Sequence, residues 1–277
     1  MNQTQDFTKG VIWKQLLFFF FPILIGSFFQ QLYNTVDTII VGQAVGTSAL
    51  AAVGSTGNLT SLIVNFYVGL STGASVVIAQ YYGAQNDKKI HQAVHTSYTL
   101  AIVSGILMML FGLFFSYQCL DAIGTPHDIL NDATLYMQLY FLCMIPGAIY
   151  NIGAGILRAV GDSKRPLYYL IVCSIVNVVF DFIFVVIFHQ GIAGAAIATV
   201  IAQFVCAILV TIQLMRTNEV YKLTLSKMKF HLPVLKKIIM IGAPAGIQST
   251  MYSISNIVLQ SHINAFGTQT IAHGQFM

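Results

Sequence analysis

The sequence predicts an all-α polytopic membrane protein, built as a six-helix transmembrane lobe followed by a seventh helix. Three observations carry this expectation. Of 277 residues, 56% are hydrophobic and only 8% charged, where soluble domains carry roughly 25% charged residues. The apolar segments are long enough for the roughly 20 residues of helix that a bilayer needs. All 13 Lys and Arg residues fall at one set of segment ends.

The spans are expected at about 15–41, 56–82, 92–117, 133–157, 167–188 and 192–215, with a seventh from Ile238 to about Ala265. Helices are the natural spanning element, because unpaired backbone polar groups are not tolerated in lipid. The first apolar run continues through Val41 without the small-residue site that ends a cleavable signal peptide, so it reads as a retained span. Lys9 and Lys14 precede span 1, and Lys88 and Lys89 separate spans 2 and 3. Arg158, Lys164 and Arg165 separate spans 4 and 5. The remaining six, from Arg216 to Lys237, separate spans 6 and 7. The opposite loops hold Asp121, Asp128 and Asp132 and no basic residue. Positive-inside bias therefore places the N-terminus in the cytoplasm of a multi-pass cell-membrane protein. The basic charge is topological, and nucleic-acid binding is excluded as its explanation.

An internal echo relates span 1 to span 7. "FPILIGSFFQQLYNTVDTIIVGQAVGTSALAA" matches "APAGIQSTMYSISNIVLQSHINAFGTQTIAH" with Pro22 on Pro244 and Asn34 on Asn256. After a one-residue gap, Gly46-Thr47 falls on Gly267-Thr268. Both copies follow a basic stretch and run the same way, a parallel repeat of the kind found in secondary transporters. The expected organisation is a lobe over 1–215, a basic cytoplasmic linker over 216–237, and the first helix of a truncated second lobe over 238–277.

Inside the spans only two acidic residues occur, Asp37 and Asp181. Intramembrane ionisable groups are costly and usually functional. Gln30, Asn34 and Asp37 share one face of span 1, with Tyr33 beside them. Asn177 and Asp181 are one turn apart on span 5, as are Thr199 and Gln203 on span 6. Span 4 contributes Tyr136 and Asn151, fifteen residues apart and fairly close in helical angle. Counting from the outer loops, Asp181 and Thr199 lie at roughly 12 Å depth and Asp37 at roughly 7 Å. Asp, Asn and Thr offer the oxygen ligands that a hard cation takes, and a desolvated carboxylate can also carry a proton. Asp37, Asn177, Asp181 and Thr199 are thus the candidate ligands for Na+ or H+. A hydrogen-bonded clamp between helices is the structural alternative. Pro22, within an apolar run, removes a backbone bond and is expected to kink span 1.

Other patterns carry less. "GLSTG" at 69–73 matches GxSxG, but that motif needs a strand–turn–helix setting. Gly69 and Gly73 also form GxxxG, and close helix packing is the expectation. "NLT" at 58–60 matches a glycosylation sequon too short to carry weight. The four cysteines show neither CxxC nor metal-ligand spacing and read as packing residues. His91 and His95 border a basic loop and are expected to be solvated.

Five segments in order, "PILIGSFFQQLYNTVDTIIVG", "GLSTGASVVIAQYYGA", "LRAVGDSKRP", "NVVFDFIFV" and "GIAGAAIATVIAQ", resemble the multidrug and toxic compound extrusion (MATE) antiporters. The resemblance covers the whole chain. It implies a twelve-helix, two-lobe transporter, of which this chain is the N-terminal lobe with the start of the second. It further implies that Asp37 takes part in coupling and in bending span 1 at Pro22. Asn177, Asp181 and Thr199 resemble the family's N-lobe cation or proton site, with Tyr136 and Asn151 in the same network. Leu259 stands where the repeat would place a second Asp37, so a matching second-lobe site has no support.

The expected function is export of amphipathic or cationic drugs or metabolites, coupled to inward Na+ or H+ flow, with no enzyme activity and no other cofactor. A lone lobe lacks half of the expected cavity, so residues 1–277 alone are expected not to transport. The alternatives are a flippase for a lipid-linked precursor and an intramembrane hydrolase using Ser71. The flippase would be expected to line its cavity with cationic side chains, and every Lys and Arg is expected at the cytoplasmic border, which argues against it.

Overall fold

The computed structural model describes residues 12–264, which are helical apart from short turns and one linker. The helices are α1 (Ile12–Ala44), α2 (Thr47–Gly83), α3 (Asp87–Ala122), α4 (His127–Phe141) and α5 (Met144–Ala159). They continue with α6 (Lys164–Asp181), α7 (Gly191–Arg216) and α8 (Leu232–Asn264). A π-helical turn, Phe182–Ile187, extends α6, and a short 3-10 turn, Leu225–Lys227, lies in the linker before α8. The end expected for span 7 and the Gly267-Thr268 pair fall outside the described residues.

Five of these helices are long and apolar enough to cross a membrane, and α4 with α5 makes a sixth if the bent pair is one span. The expected fourth span is therefore broken. α4 and α5 meet at 45°, and Pro146, in the first turn of α5, has no N–H to carry a helical hydrogen bond across the break. α8 matches the expected seventh span in position. It is not among the helices that meet the same apolar test, because Gln248, Ser249, Thr250, Ser253, Ser255 and Asn256 interrupt its apolar run.

The bundle is apolar outside and small or polar within. Phe114 and Leu107 on α3 are 71% and 62% exposed, whereas Thr96 and Ser97 on the same helix are fully buried. Such a surface suits lipid tails, since helices in a bilayer associate through close packing and hydrogen bonds rather than through water exclusion. α1 lies against α6, α6 against α7, and α5 against α2, α3 and α7.

The most extensive helix contact joins α2 to α8. At its centre two GxxxG pairs face each other, Gly69 and Gly73 on α2 against Gly246 and Gly242 on α8. A methyl group at Gly69 would overlap the Gly246 backbone, and one at Gly73 would sit 2.6 Å from Gly242 Cα. The expected close-packing role of GLSTG is what the fold shows. Asn65 Nδ2 adds a hydrogen bond to Ser253 Oγ at 2.9 Å.

Candidate functional site

Two polar zones occupy the bundle. The first lies where α6, the π turn and α7 meet α1. Asn177, Asp181 and Thr199 are buried, at 1%, 0% and 8% exposure. Asn177 Nδ2 donates to Thr199 Oγ1 at 3.4 Å, and the Thr199 hydroxyl donates to Ala195 O at 3.1 Å. Asn177 Oδ1 and both Asp181 carboxylate oxygens are buried with no hydrogen-bond partner among the described residues. Oδ1 of Asp37, on α1, is in the same condition. Asp37 and Asp181 lie within electrostatic reach of each other, and Tyr136 lies within reach of both. The four residues read from the sequence as a cation or proton site therefore converge, with Tyr136 at their edge.

Asp181 is the last α-helical residue before the π turn. The Phe188 N–H donates to Ile183 O, five residues back, at 2.9 Å. A π turn changes the register of the helix beyond it, and such turns occur frequently at functional sites. The sequence offered no signal for this one. Just beyond it, His189 and Gly191 take left-handed backbone conformations, φ 51° and 60°, which reverse the chain into α7.

The second zone is a cavity of about 790 Å³ between α1, α2, α5 and α6. Pro22, Gln30, Tyr33, Asn151 and Gln203 line it, together with Tyr140 and Arg158. Gln30, Tyr33, Asn151 and Gln203 thus line the cavity. Asn151 Nδ2 donates to Gly147 O at 2.9 Å. Asn34, read from the sequence as sharing a face with Gln30 and Asp37, does not join them. Its side chain is exposed and does not line the cavity, although its backbone oxygen accepts from Thr38 Oγ1 at 2.9 Å. Tyr136 and Asn151 also part company, one near the carboxylates and one in the cavity, because the break at Leu142–Cys143 ends the shared helical angle. α1 runs unbroken through Pro22, whose ring faces the cavity.

Two residues escaped the sequence reading. Tyr140 lines the cavity and also lies within electrostatic reach of Asp37, so it connects the zones. Its spacing of one turn from Tyr136 was the available signal. Arg158 was placed at the cytoplasmic border, yet it lines the cavity. Charge therefore does not exclude a flippase: among the described residues the cavity wall carries one cationic side chain and no acidic one.

Ser71 does not resemble a nucleophile. It is buried in mid-helix, and its hydroxyl donates to Asn151 O at 2.6 Å. His95 is fully buried rather than solvated. Its Nδ1 donates to His91 O at 2.7 Å, and its Nε2 accepts from the Thr224 N–H at 3.1 Å. The four cysteines are unbridged, three of them buried. Among the described residues no three His, Cys, Asp or Glu side chains converge as a metal site.

This arrangement, a bundle of apolar helices long enough to cross a membrane with two carboxylates and a cavity inside it, defines a polytopic α-helical membrane protein. The MatE family model matches residues 22–183, more than half of the chain, and the chain belongs to that family. It is 29% identical over 279 residues to the "Probable multidrug resistance protein YoeA" of Bacillus subtilis (strain 168), covering 98% of this chain and 60% of that protein. It resembles a solved MATE family transporter of the MOP superfamily in its inward-facing conformation, with TM-score 0.81 and 28% identity. That match covers 88% of this chain and 56% of that one. For a structure of the same description in the outward-facing conformation the TM-score is 0.85 at 26% identity, over 92% and 56%. The chain spans about 60% of the length of the curated relatives it matches.

Proposed function

We propose that the chain forms the N-terminal lobe, linker and first second-lobe helix of a cation-coupled exporter of amphipathic small molecules. The observation that carries this is Asp181, fully buried with neither oxygen hydrogen-bonded, within reach of a second carboxylate, Asp37. Two such groups in a low-dielectric site need a proton or a cation to coexist. The Asn177 and Thr199 oxygens complete a donor set suited to Na+, and a shared proton serves equally well.

In the proposed cycle, Na+ or H+ entering from outside settles between Asp37 and Asp181. α1 carries both Asp37 and the cavity-lining Gln30 and Tyr33, so drawing Asp37 toward α6 reshapes the cavity wall. Coupling then follows from the difference in cation affinity between two positions of α1. The names of the relatives, multidrug resistance and export proteins, support a drug or metabolite as cargo. The cytoplasmic N-terminus and cell-membrane location rest on the distribution of basic residues.

The test is efflux by the full-length protein in proteoliposomes, with Na+ and pH gradients imposed separately. Wild-type export should follow one of them, and Asp181→Asn should lose that dependence. Undiminished gradient-driven efflux from the variant would falsify the coupling role. Arg158 in the cavity supports a second reading, a flippase for an anionic lipid-linked precursor; gradient-independent movement of such a lipid, lost in Arg158→Gln, would favour it.

A further inference from the structure

The cytoplasmic side expected from the basic residues holds a second cavity that the transport reading does not use. It measures about 570 Å³ and lies between the first turns of α3 and the linker ahead of α8. Lys88, His91 and Gln92 form one wall; Lys227, Lys229 and His231 form the other. Among the described residues no acidic side chain lines it, and those nearest in sequence, Asp87 and Glu219, are not part of its wall.

The two walls are fastened together. The Thr224 N–H donates to His95 Nε2, and the His231 N–H donates to Thr96 Oγ1 at 3.2 Å. His231 Nδ1 lies 3.3 Å from the same hydroxyl. The His91 ring stacks on His95 with centroids 4.0 Å apart. The neighbouring lysines are used differently, since Lys89 and Lys237 each approach the Tyr81 ring, at 5.5 and 5.4 Å. Lys88, Lys227 and Lys229 make no ion pair or ring contact of this kind among the described residues. Three ammonium groups and two imidazoles are thus held around one hollow without a counter-charge.

We propose that this cavity is a binding site for a phosphate group, presented by an anionic phospholipid headgroup or by a soluble phosphate. A tetrahedral anion offers several acceptor oxygens to lysines on opposite walls, and imidazole N–H groups can supply further donors. Basic pockets at the cytoplasmic ends of membrane helices bind lipid headgroups, and the anionic leaflet concentrates the ligand there. Occupancy would tie the linker to α3 by charge as well as by the His95 and Thr96 hydrogen bonds.

The experiment uses the full-length protein in phosphatidylcholine nanodiscs, titrated with short-chain phosphatidylglycerol in one arm and inorganic phosphate in the other. Binding is followed by native mass spectrometry and by thermal shift. Lys227→Gln and Lys229→Gln should each weaken binding about fivefold. The Lys→Arg pair should restore it, and Lys237→Gln, outside the cavity, should leave it unchanged. Binding in the phosphatidylglycerol arm alone assigns the lipid, and comparable binding of inorganic phosphate assigns the soluble ion. If neither probe binds, or if both bind the glutamine variants as tightly as wild type, the proposal is overturned.

Discussion

Asn177 on α6 and Thr199 on α7 are joined side chain to side chain at 3.4 Å, and this bond fixes which way the Asn177 amide points. With Nδ2 turned to Thr199, Oδ1 remains a buried acceptor with no hydrogen-bond partner among the described residues, one helical turn from Asp181. The pair therefore orients an oxygen rather than merely clamping two helices.

Thr199→Val should uncouple the amide from its orientation while keeping volume. In the full-length transporter we expect cation affinity to fall about tenfold, as for loss of one oriented oxygen worth ~1–1.5 kcal/mol. Thermal stability should fall by less. The check is the dependence of efflux on cation concentration; an unchanged half-saturation would remove Thr199 from the site.

Arg158→Gln should change which molecules the cavity accepts. Removing this cationic group should favour cationic substrates and disfavour anionic ones, each by about tenfold, the effect of a charge interaction of ~1.5 kcal/mol. Competition between a cationic and an anionic dye in the same transport assay measures the ratio. A parallel loss for both would indicate a structural role instead.

The glycine contact between α2 and α8 predicts opposite effects at two nearby positions. Gly69→Ala places a methyl group into the Gly246 backbone and should destabilise the fold by about 1–3 kcal/mol. Gly57→Ala, with nothing within 4 Å of the added carbon, should stabilise it by about 0.5–1 kcal/mol. Melting of the two variants in detergent decides this. If both melt alike, the α2–α8 approach is not as close as described.

The linker should loosen in acid. Burial, with Lys229 and His95 adding repulsion, holds the His231 pKa below its ordinary value of 6.5. A depressed histidine contributes stability that is complete above its unfolded value. That contribution is lost as pH falls through the lower folded value, so the loss lies on the acid side of 6.5. Amide exchange at Thr224 and His231 should accelerate in that window, and His231→Gln should flatten the pH dependence without abolishing folding. Acceleration on the alkaline side would contradict it.

The helical bundle and most of the candidate site were legible in the sequence because bilayer chemistry penalises polar groups so heavily. Asp37, Asn177, Asp181 and Thr199 stood out against apolar runs, and they meet. What failed was continuity. Reading 133–157 as one rod put Tyr136 and Asn151 on a common face, and Pro146 was available as a warning. Asn34 sits one turn from Gln30 and nearly one from Asp37, but shared helical angle does not say which neighbour fills the space beside it. Arg158 looked like a border charge because hydropathy marks the end of a span, not the direction of a long side chain. The buried state of His95 depends on Thr224, far away in sequence, and no local pattern encodes such a pairing.

The α2–α8 seam has a mechanical consequence. At the facing glycines the backbones touch directly with no side chain between them, so the closest approach of the two helices is set by main chain alone. Shear between packed helices is one established mode of domain movement. A seam set by main chain holds α2 and α8 at one spacing, so relative movement along it would take the form of a slide or pivot rather than a separation.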